Sequence, residues 1–434
     1  MNKSYPKILI IGETFHSNSG GGITLTNLFG DWPKEKLANV VDFRNPKMNT
    51  DFASVKVYEL YRSKMIFNLV SHKHFQNYRS SSISNENKSK IRFRTLFKYS
   101  IKNYAYKLLK YSGLNPVIFN YEIDYDLIDW IKAFNPDFIY SQLSSRESIR
   151  LISKLHDVTS IPIAIHIMDD WPSSISSAGL LKNYWKRKIN SEFLNLIQKS
   201  SVFLSISESM SEEYFIRYKK RFTPFHNPLN LAVWGNPVMN SKHLNNPTTF
   251  LHAGRIGKGI TNSLLGIAKT LQEINDSNFP VQLQIQSSNI DYHFRKSISK
   301  YSCVKINPPA EYRDIPKIMQ SADILVLCND FDEKGKDFLK YSMPTKASEY
   351  MISGVPILLF SDYSSAVYKS AVKNKWAYLV GENDHDKLKA AILELINNTE
   401  LRKEIAERAV QYAKANFDSE IVREKFRNAF IKDV

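Results

Sequence analysis

Apolar residues in this chain fall in short unbroken runs, and the segments between them repeat at helical period. KILIIG (7–12), ANVVDF (38–43), DFIYSQ (137–142), IPIAIHI (161–167) and SVFLSIS (201–207) carry the pattern through the first half. TTFLHAG (248–254), SADILVL (321–327), PILLF (356–360) and WAYLVG (376–381) repeat it in the second, and VQLQIQS (281–287) reads as a strand as well. Runs of this length without polar alternation read as strands covered on both faces, which means parallel strands. Between them, SRESIRLISKLHDVT (145–159), residues 184–199, ESMSEEYFIRYK (208–219), DKLKAAILELI (386–396) and TELRKEIAERAVQYAKANF (399–417) space their apolar residues at threes and fours. The strand–helix rhythm predicts an α/β protein with mainly parallel sheets.

The rhythm breaks once. Residues 230–247, NLAVWGNPVMNSKHLNNP, are polar, hold two prolines and read as a linker. They divide the chain into domains at 1–229 and 248–416, with a closing helix at 417–434. A length of 434 residues suits two cores of about 200 residues each. Residues 58–75 and 91–113 read as helices around a polar break at 80–90, and 329–340 as a polar loop.

Charge changes the picture in one place. The chain carries a net charge of +16. Between Lys56 and Lys110 stand thirteen lysines and arginines against two acids, Glu59 and Glu86, among many aromatics. Phe93, Phe97, Ile101, Tyr104 and Leu108 make an apolar stripe on a basic helix. This segment, 56–110, fits an anionic membrane surface. Nucleic acid is not the expected partner, because no RNA-binding or zinc-finger signature accompanies the charge. Cys303 and Cys328 lie in apolar runs, which predicts buried thiols and a reducing compartment. The first residues lead straight into a strand, and no apolar run reaches the length of a membrane span, so neither a signal peptide nor a transmembrane helix is expected.

The candidate chemistry gathers at strand ends. YSMPTKASEYMISGVPILLF (341–360) reads as a polar helix start, a Gly-Val-Pro corner and a buried strand. Ser342, Thr345 and Lys346 are placed to meet phosphate oxygens, and Glu349 suits vicinal hydroxyls such as those of ribose. Arg255 and Lys258 follow a strand in AGRIGKGI, where Gly254, Gly257 and Gly259 let two cations converge on a diphosphate. This is neither a P-loop nor a dinucleotide fingerprint. His166, Asp169 and Asp170 end a first-domain strand and point to a substrate contact. Gly20, Gly21 and Gly22 allow either a tight turn or close approach of a ligand.

The pattern G-R-…-K-G, then SADILVL, then P-T-K-x-x-E-Y-x-x-x-G-x-P-I, resembles bacterial glycosyltransferases of family four. The match is strongest over 250–380. The resemblance implies the GT-B fold, two Rossmann-like domains around a cleft, and retaining transfer from a UDP- or GDP-sugar without a metal ion or other cofactor. It implies a saccharide or lipid-linked acceptor, surface polysaccharide or lipopolysaccharide synthesis, and a cytoplasmic protein held at the inner face of the cytoplasmic membrane. By the same resemblance Arg255 and Lys258 hold the donor diphosphate and act in catalysis. Glu349 holds the ribose, His166 lies by the sugar and acceptor, and Gly21 and Gly22 line the acceptor side of the cleft. The terminal helix, around 417–431, crosses back to the first domain. The chain departs from the pattern at Tyr341, where similar proteins carry a glutamate. Two other readings compete: a sugar-nucleotide 2-epimerase and a non-catalytic GT-B partner protein.

Overall fold

Unbroken apolar runs become strands with no exposed face. β1 (Ile8–Ile11), β2 (Leu37–Asp42), β6 (Phe138–Ser141) and β7 (Ile163–Ile167) are buried at every position. In this computed structural model the described residues are 5–16, 19–42, 48–60, 62–64, 119–121, 123–170, 180–235, 244–287 and 290–431. The first sheet is completed by β3 (Lys56–Leu60), β8 (Ser200–Ser205) and β9 (Thr223–Pro224), in the order β3-β2-β1-β6-β7-β8-β9. Its pairings are all parallel. A two-stranded antiparallel ribbon, β4 (Arg62–Lys64) with β5 (Phe119–Tyr121), stands beside it.

The second sheet repeats the design. β10 (Thr248–Ala253), β11 (Val281–Gln286), β12 (Val304–Ile306), β13 (Ile324–Cys328), β14 (Ile357–Phe360) and β15 (Tyr378–Val380) run in the order β12-β11-β10-β13-β14-β15, again all parallel. Strand order reverses beside β1 in one sheet and beside β10 in the other. The crevice at such a reversal, beyond the C-terminal strand ends, is where open α/β sheets bind ligands.

Two expectations are corrected. The helix predicted over 58–75 begins instead as strand, since Tyr58–Leu60 belong to β3 and pair with Val40–Asp42 of β2. A sheet edge supplied the partner that the local pattern could not show. The loop predicted over 329–340 contains the helix Glu333–Leu339, capped by Asp332, whose side chain accepts from Gly335 N. The greater part of the basic segment, 65–110, lies outside the described residues.

The chain crosses between the sheets twice, side by side. Leu229 N donates to Phe417 O at 2.7 Å, and Ser419 N donates to Leu229 O at 2.9 Å. After the second crossing the helix Ser419–Ala429 packs on the first-sheet helix Gly20–Leu28. Phe426 is its anchor, fully buried with ring centroids 5.1 Å from Phe29 and 5.4 Å from Phe225. Cys303 and Cys328 are free, buried thiols. Among the described residues no helix is long and apolar enough to cross a membrane.

Candidate functional site

The loop after β10 is shaped by glycine. Gly254, Gly257 and Gly259 all have positive φ. Gly254 matters most, because a Cβ there would stand 2.7 Å from Lys346 Cδ. Only a residue without a side chain lets the Lys346 stem run across this loop. The loop is tied down by Asp330 at the end of β13. Its carboxylate accepts from Ser263 N at 2.8 Å and its own N–H donates to Gly259 O at 2.7 Å. Burial raises the Asp330 pKa, and the Ser263 N–H opposes the rise.

Two cations, Arg255 and Lys346, meet at this crevice, and Lys258 stands on the same loop as Arg255. Arg255 and Lys258 are exposed on the loop, and an Arg255 Nη2 donates to Lys258 O at 3.3 Å. Lys346 enters from the helix Lys346–Ile352 and places Nζ 3.2 Å from His252 Nε2. His252 Nδ1 lies 3.2 Å from Val326 O. The carbonyl assigns the proton to Nδ1, so Nε2 accepts from the ammonium. Burial, then the Lys346 charge, drives His252 well below its ordinary pKa and keeps it neutral. Burial lowers Lys346 to about 8, with Arg255 pushing the same way and Cys328 and Glu349 opposing. An ammonium held this way, with little water around it, gains more from an incoming anion than an open surface lysine does.

The segment 341–349 is gripped from the first lobe along its length. Ser207 Oγ caps the helix Glu208–Tyr218 by accepting from Met210 N, and donates to Tyr341 O at 2.7 Å. Ser342 Oγ donates to Asp169 Oδ1 at 2.8 Å. His226 Nε2 lies 3.1 Å from Pro344 O, and Ser348 Oγ donates to Asn227 O at 3.2 Å. Thr345 makes no side-chain cap bond, and its Oγ1 approaches the space a Cβ would need at Gly20. Glu349 is buried on the helix one turn beyond Thr345.

On the first-lobe side, Asp169 keeps open surface yet is crowded by both lobes. Crowding raises its carboxyl pKa, while the Ser342 hydroxyl and the Arg255 charge hold it down. Gly20, Gly21 and Gly22 do not form a turn before the helix. They are its first turn, capped by Ser19, which accepts from Gly22 N at 3.1 Å. A Cβ on Gly21 would lie 2.8 Å from Glu13 Oε2, and one on Gly22 2.5 Å from His16 Cε1. The glycines therefore admit Glu13 and His16, themselves paired at 3.0 Å, beside the strand ends.

Two expected cleft residues are corrected. His166 is fully buried on β7, its Nδ1 2.7 Å from the Tyr140 hydroxyl, and burial lowers it to about 4. It belongs to the aromatic core under the helix Ser419–Ala429, not to the cleft surface, because its position on β7 turns it toward the covered face of the sheet. Asp170 is buried too. It accepts from Tyr214 Oη at 3.0 Å and from Arg217 Nη1 at 3.0 Å. Arg217 then lies 5.3 Å from the Tyr341 ring centroid. The residue that departs from the expected glutamate is thus part of the contact between the lobes. His252, Asp330 and Glu13 were not singled out by the sequence pattern. Asp330 and Glu13 had a signal, since each stands at the C-terminal end of an apolar strand.

A family profile described as "Glycosyl transferases group 1" matches residues 294–412, within the second lobe. No curated protein matches the sequence. Among solved structures, HepE of Anabaena in complex with UDP and glucose is similar over 98% of this chain and 99% of that one, at 13% identity and a TM-score of 0.62. Sucrose-phosphate synthase of Thermosynechococcus elongatus is similar over 98% of each chain, at 12% identity and a TM-score of 0.61. WaaG, a glycosyltransferase involved in lipopolysaccharide biosynthesis, is similar over 98% of this chain and all of that one, at 11% identity and a TM-score of 0.60. The fold is GT-B. In GT-B terms the Arg255–Lys258–Lys346 cluster lies at the switch point of the second Rossmann-like lobe, and Asp169 faces it from the first.

Proposed function

We propose that the protein is a glycosyltransferase that moves a sugar from a nucleoside diphosphate to a saccharide or lipid-linked acceptor in surface polysaccharide or lipopolysaccharide synthesis. The observation that carries this reading is the meeting of Arg255 and Lys346, with Lys258 on the same loop, at the switch point of the second sheet. A diphosphate leaving group needs such compensation as its charge develops. Glu349, on the same helix as Lys346, is the candidate for the ribose hydroxyls.

In the reaction, the bond between the anomeric carbon and the diphosphate oxygen breaks, and the acceptor oxygen bonds to that carbon. The acceptor proton goes to the leaving diphosphate, and the configuration is retained. Arg255, Lys258 and Lys346 hold the leaving charge, and closure of the lobes keeps out water. With His166 in the core, Asp169 is the first-lobe carboxylate that meets both Ser342 and the Arg255 charge. The similarity to HepE, solved with UDP and glucose, makes UDP the first nucleotide to test.

The test is calorimetric titration of UDP and GDP into the intact protein, followed by turnover of the corresponding sugar nucleotides. One nucleotide is expected to bind with micromolar Kd, and Arg255→Ala to weaken it by about tenfold, the loss of one exposed charge-assisted contact. Absence of nucleotide binding would overturn the donor site. Binding without transfer or hydrolysis would favour the non-catalytic reading, to which the use of Tyr341 as a lobe contact already lends support. Acceptor-independent conversion of the donor sugar would favour the epimerase.

The basic segment 56–110 is assigned to the anionic inner face of the cytoplasmic membrane. In a flotation assay, vesicles containing anionic lipid are expected to retain the protein at low salt and release it as salt rises. Equal retention by neutral vesicles would remove this assignment.

A further inference from the structure

A second cavity, of about 360 Å³, lies where both lobes meet the crossing helices. Its walls come from the first-lobe helix Glu208–Tyr218, the second-lobe helix Ala366–Asn374, and the helices Thr399–Phe417 and Ser419–Ala429. None of Arg255, Lys258, Lys346 and Glu349 lines it.

The chemistry of the lining is mixed in a specific way. Lys369, Lys373 and Lys425 stand around it as exposed cations. Glu208 and Glu212 face them from the first lobe, and Lys373 Nζ reaches Glu208 at 2.8 Å across the lobes. Phe417 supplies an aromatic wall. His226 forms part of the wall and is 7% exposed. With Nε2 donating to Pro344 O, its Nδ1 is an acceptor, and that atom is buried without a hydrogen-bond partner among the described residues.

We propose that this cavity binds a small phosphorylated sugar and that its occupancy tunes the donor segment. The phosphate is matched by the three ammonium groups, which supply charge-assisted bonds. Sugar hydroxyls are matched by the two carboxylates. A monosaccharide body fits the volume and can lie against Phe417. The link to the donor segment is direct. Met343 lines the cavity, and His226 holds the carbonyl of Pro344, two residues before Lys346. The cavity also spans both lobes, so a ligand that bridges them favours one lobe arrangement over another. The coupling, though not the binding, rests on the proposed donor site.

The experiment uses the intact protein and glucose 6-phosphate as probe, with inorganic phosphate and glucose beside it. Calorimetry without nucleotide is expected to show glucose 6-phosphate binding at least about tenfold tighter than either control. The double variant Lys369→Glu/Lys425→Glu changes only exposed residues, and is expected to reduce that binding by about tenfold or more. UDP affinity is then measured with and without saturating glucose 6-phosphate. A change of about fivefold is expected in the native protein, near the lower end of ordinary coupling, and none in the double variant. Failure of glucose 6-phosphate to bind, or binding unaffected by the double variant, would overturn the site. Equal binding of inorganic phosphate would overturn the sugar component. An unchanged UDP affinity would overturn the coupling while leaving the donor reading intact. If UDP itself does not bind, the donor reading fails, and the first two arms still decide the cavity.

Discussion

Replacing Lys346 by methionine is expected to weaken UDP binding by roughly 10- to 150-fold, the equivalent of losing one charge-assisted hydrogen bond of about 1.5–3 kcal/mol. The effect should exceed that of Arg255→Ala. Arg255 is exposed and shares its guanidinium with a backbone carbonyl, so water already screens it. Lys346 is pressed between Gly254 and His252, and methionine keeps most of its stem while removing the charge. The same residue predicts a pH dependence. In the free protein Lys346 titrates at about 8, below the ordinary lysine value. The cation that a diphosphate needs is therefore complete below pH 7 and is lost as pH rises through about 8. UDP affinity should fall over pH 7.5–9.5 by up to about tenfold per pH unit, in the direction set by proton linkage. Calorimetry across that range checks both statements. A Lys346→Met variant that binds as the native protein does would show that Lys346 is not a phosphate ligand, and an affinity flat with pH would show that its ammonium does not titrate in this range.

Replacing Phe426 by alanine is expected to lower the unfolding free energy by about 3–5 kcal/mol, the usual range for truncating a buried aromatic. Phe426 is fully buried and meets Phe29, Trp32, Tyr140, Phe225 and Phe430, mostly edge to face. Phe430 ends the same helix, but the other partners come from the first sheet and the segments beside it, whereas Phe426 arrives after the second crossing. The truncation therefore loosens the closing helix from the first lobe. Urea denaturation should show an early transition in the variant, and Phe426→Leu should restore part of the loss because leucine leaves a smaller cavity. A change below about 1 kcal/mol would mean that the site collapses around the gap and that the helix is held by other contacts.

The elements that were legible in the sequence share one property: local pattern and tertiary environment agree. A run such as ILVLC in β13 is apolar on both faces because it is covered on both faces, so the run itself announces the strand. Where local pattern and environment disagree, the reading failed. Residues 58–60 carry helix-compatible spacing, but the open edge of β2 recruits them as β3. The helix Glu333–Leu339 is short and polar, and its start depends on one Asp332 side chain closing on Gly335 N. Gly20–Gly22 look like a turn by composition and are a helix start, where small size rather than unusual backbone angles is what the neighbours require.

By itself the sequence determined the parallel α/β architecture, its division into two lobes, and the placing of Arg255 and Lys258 after the first strand of the second lobe and of Lys346 and Glu349 after its fourth. Those properties depend on periodicity and order along the chain. Only the tertiary structure decided which buried polar groups serve the crevice. His166 and His252 both occupy apolar strands and cannot be told apart by pattern. His252 meets the Lys346 ammonium, whereas His166 meets the Tyr140 hydroxyl beneath a helix that arrives from the far end of the chain. The difference is set by what covers each face of the sheet, and that covering comes from residues more than a hundred positions distant in the His166 case, where Phe426 packs on Tyr140.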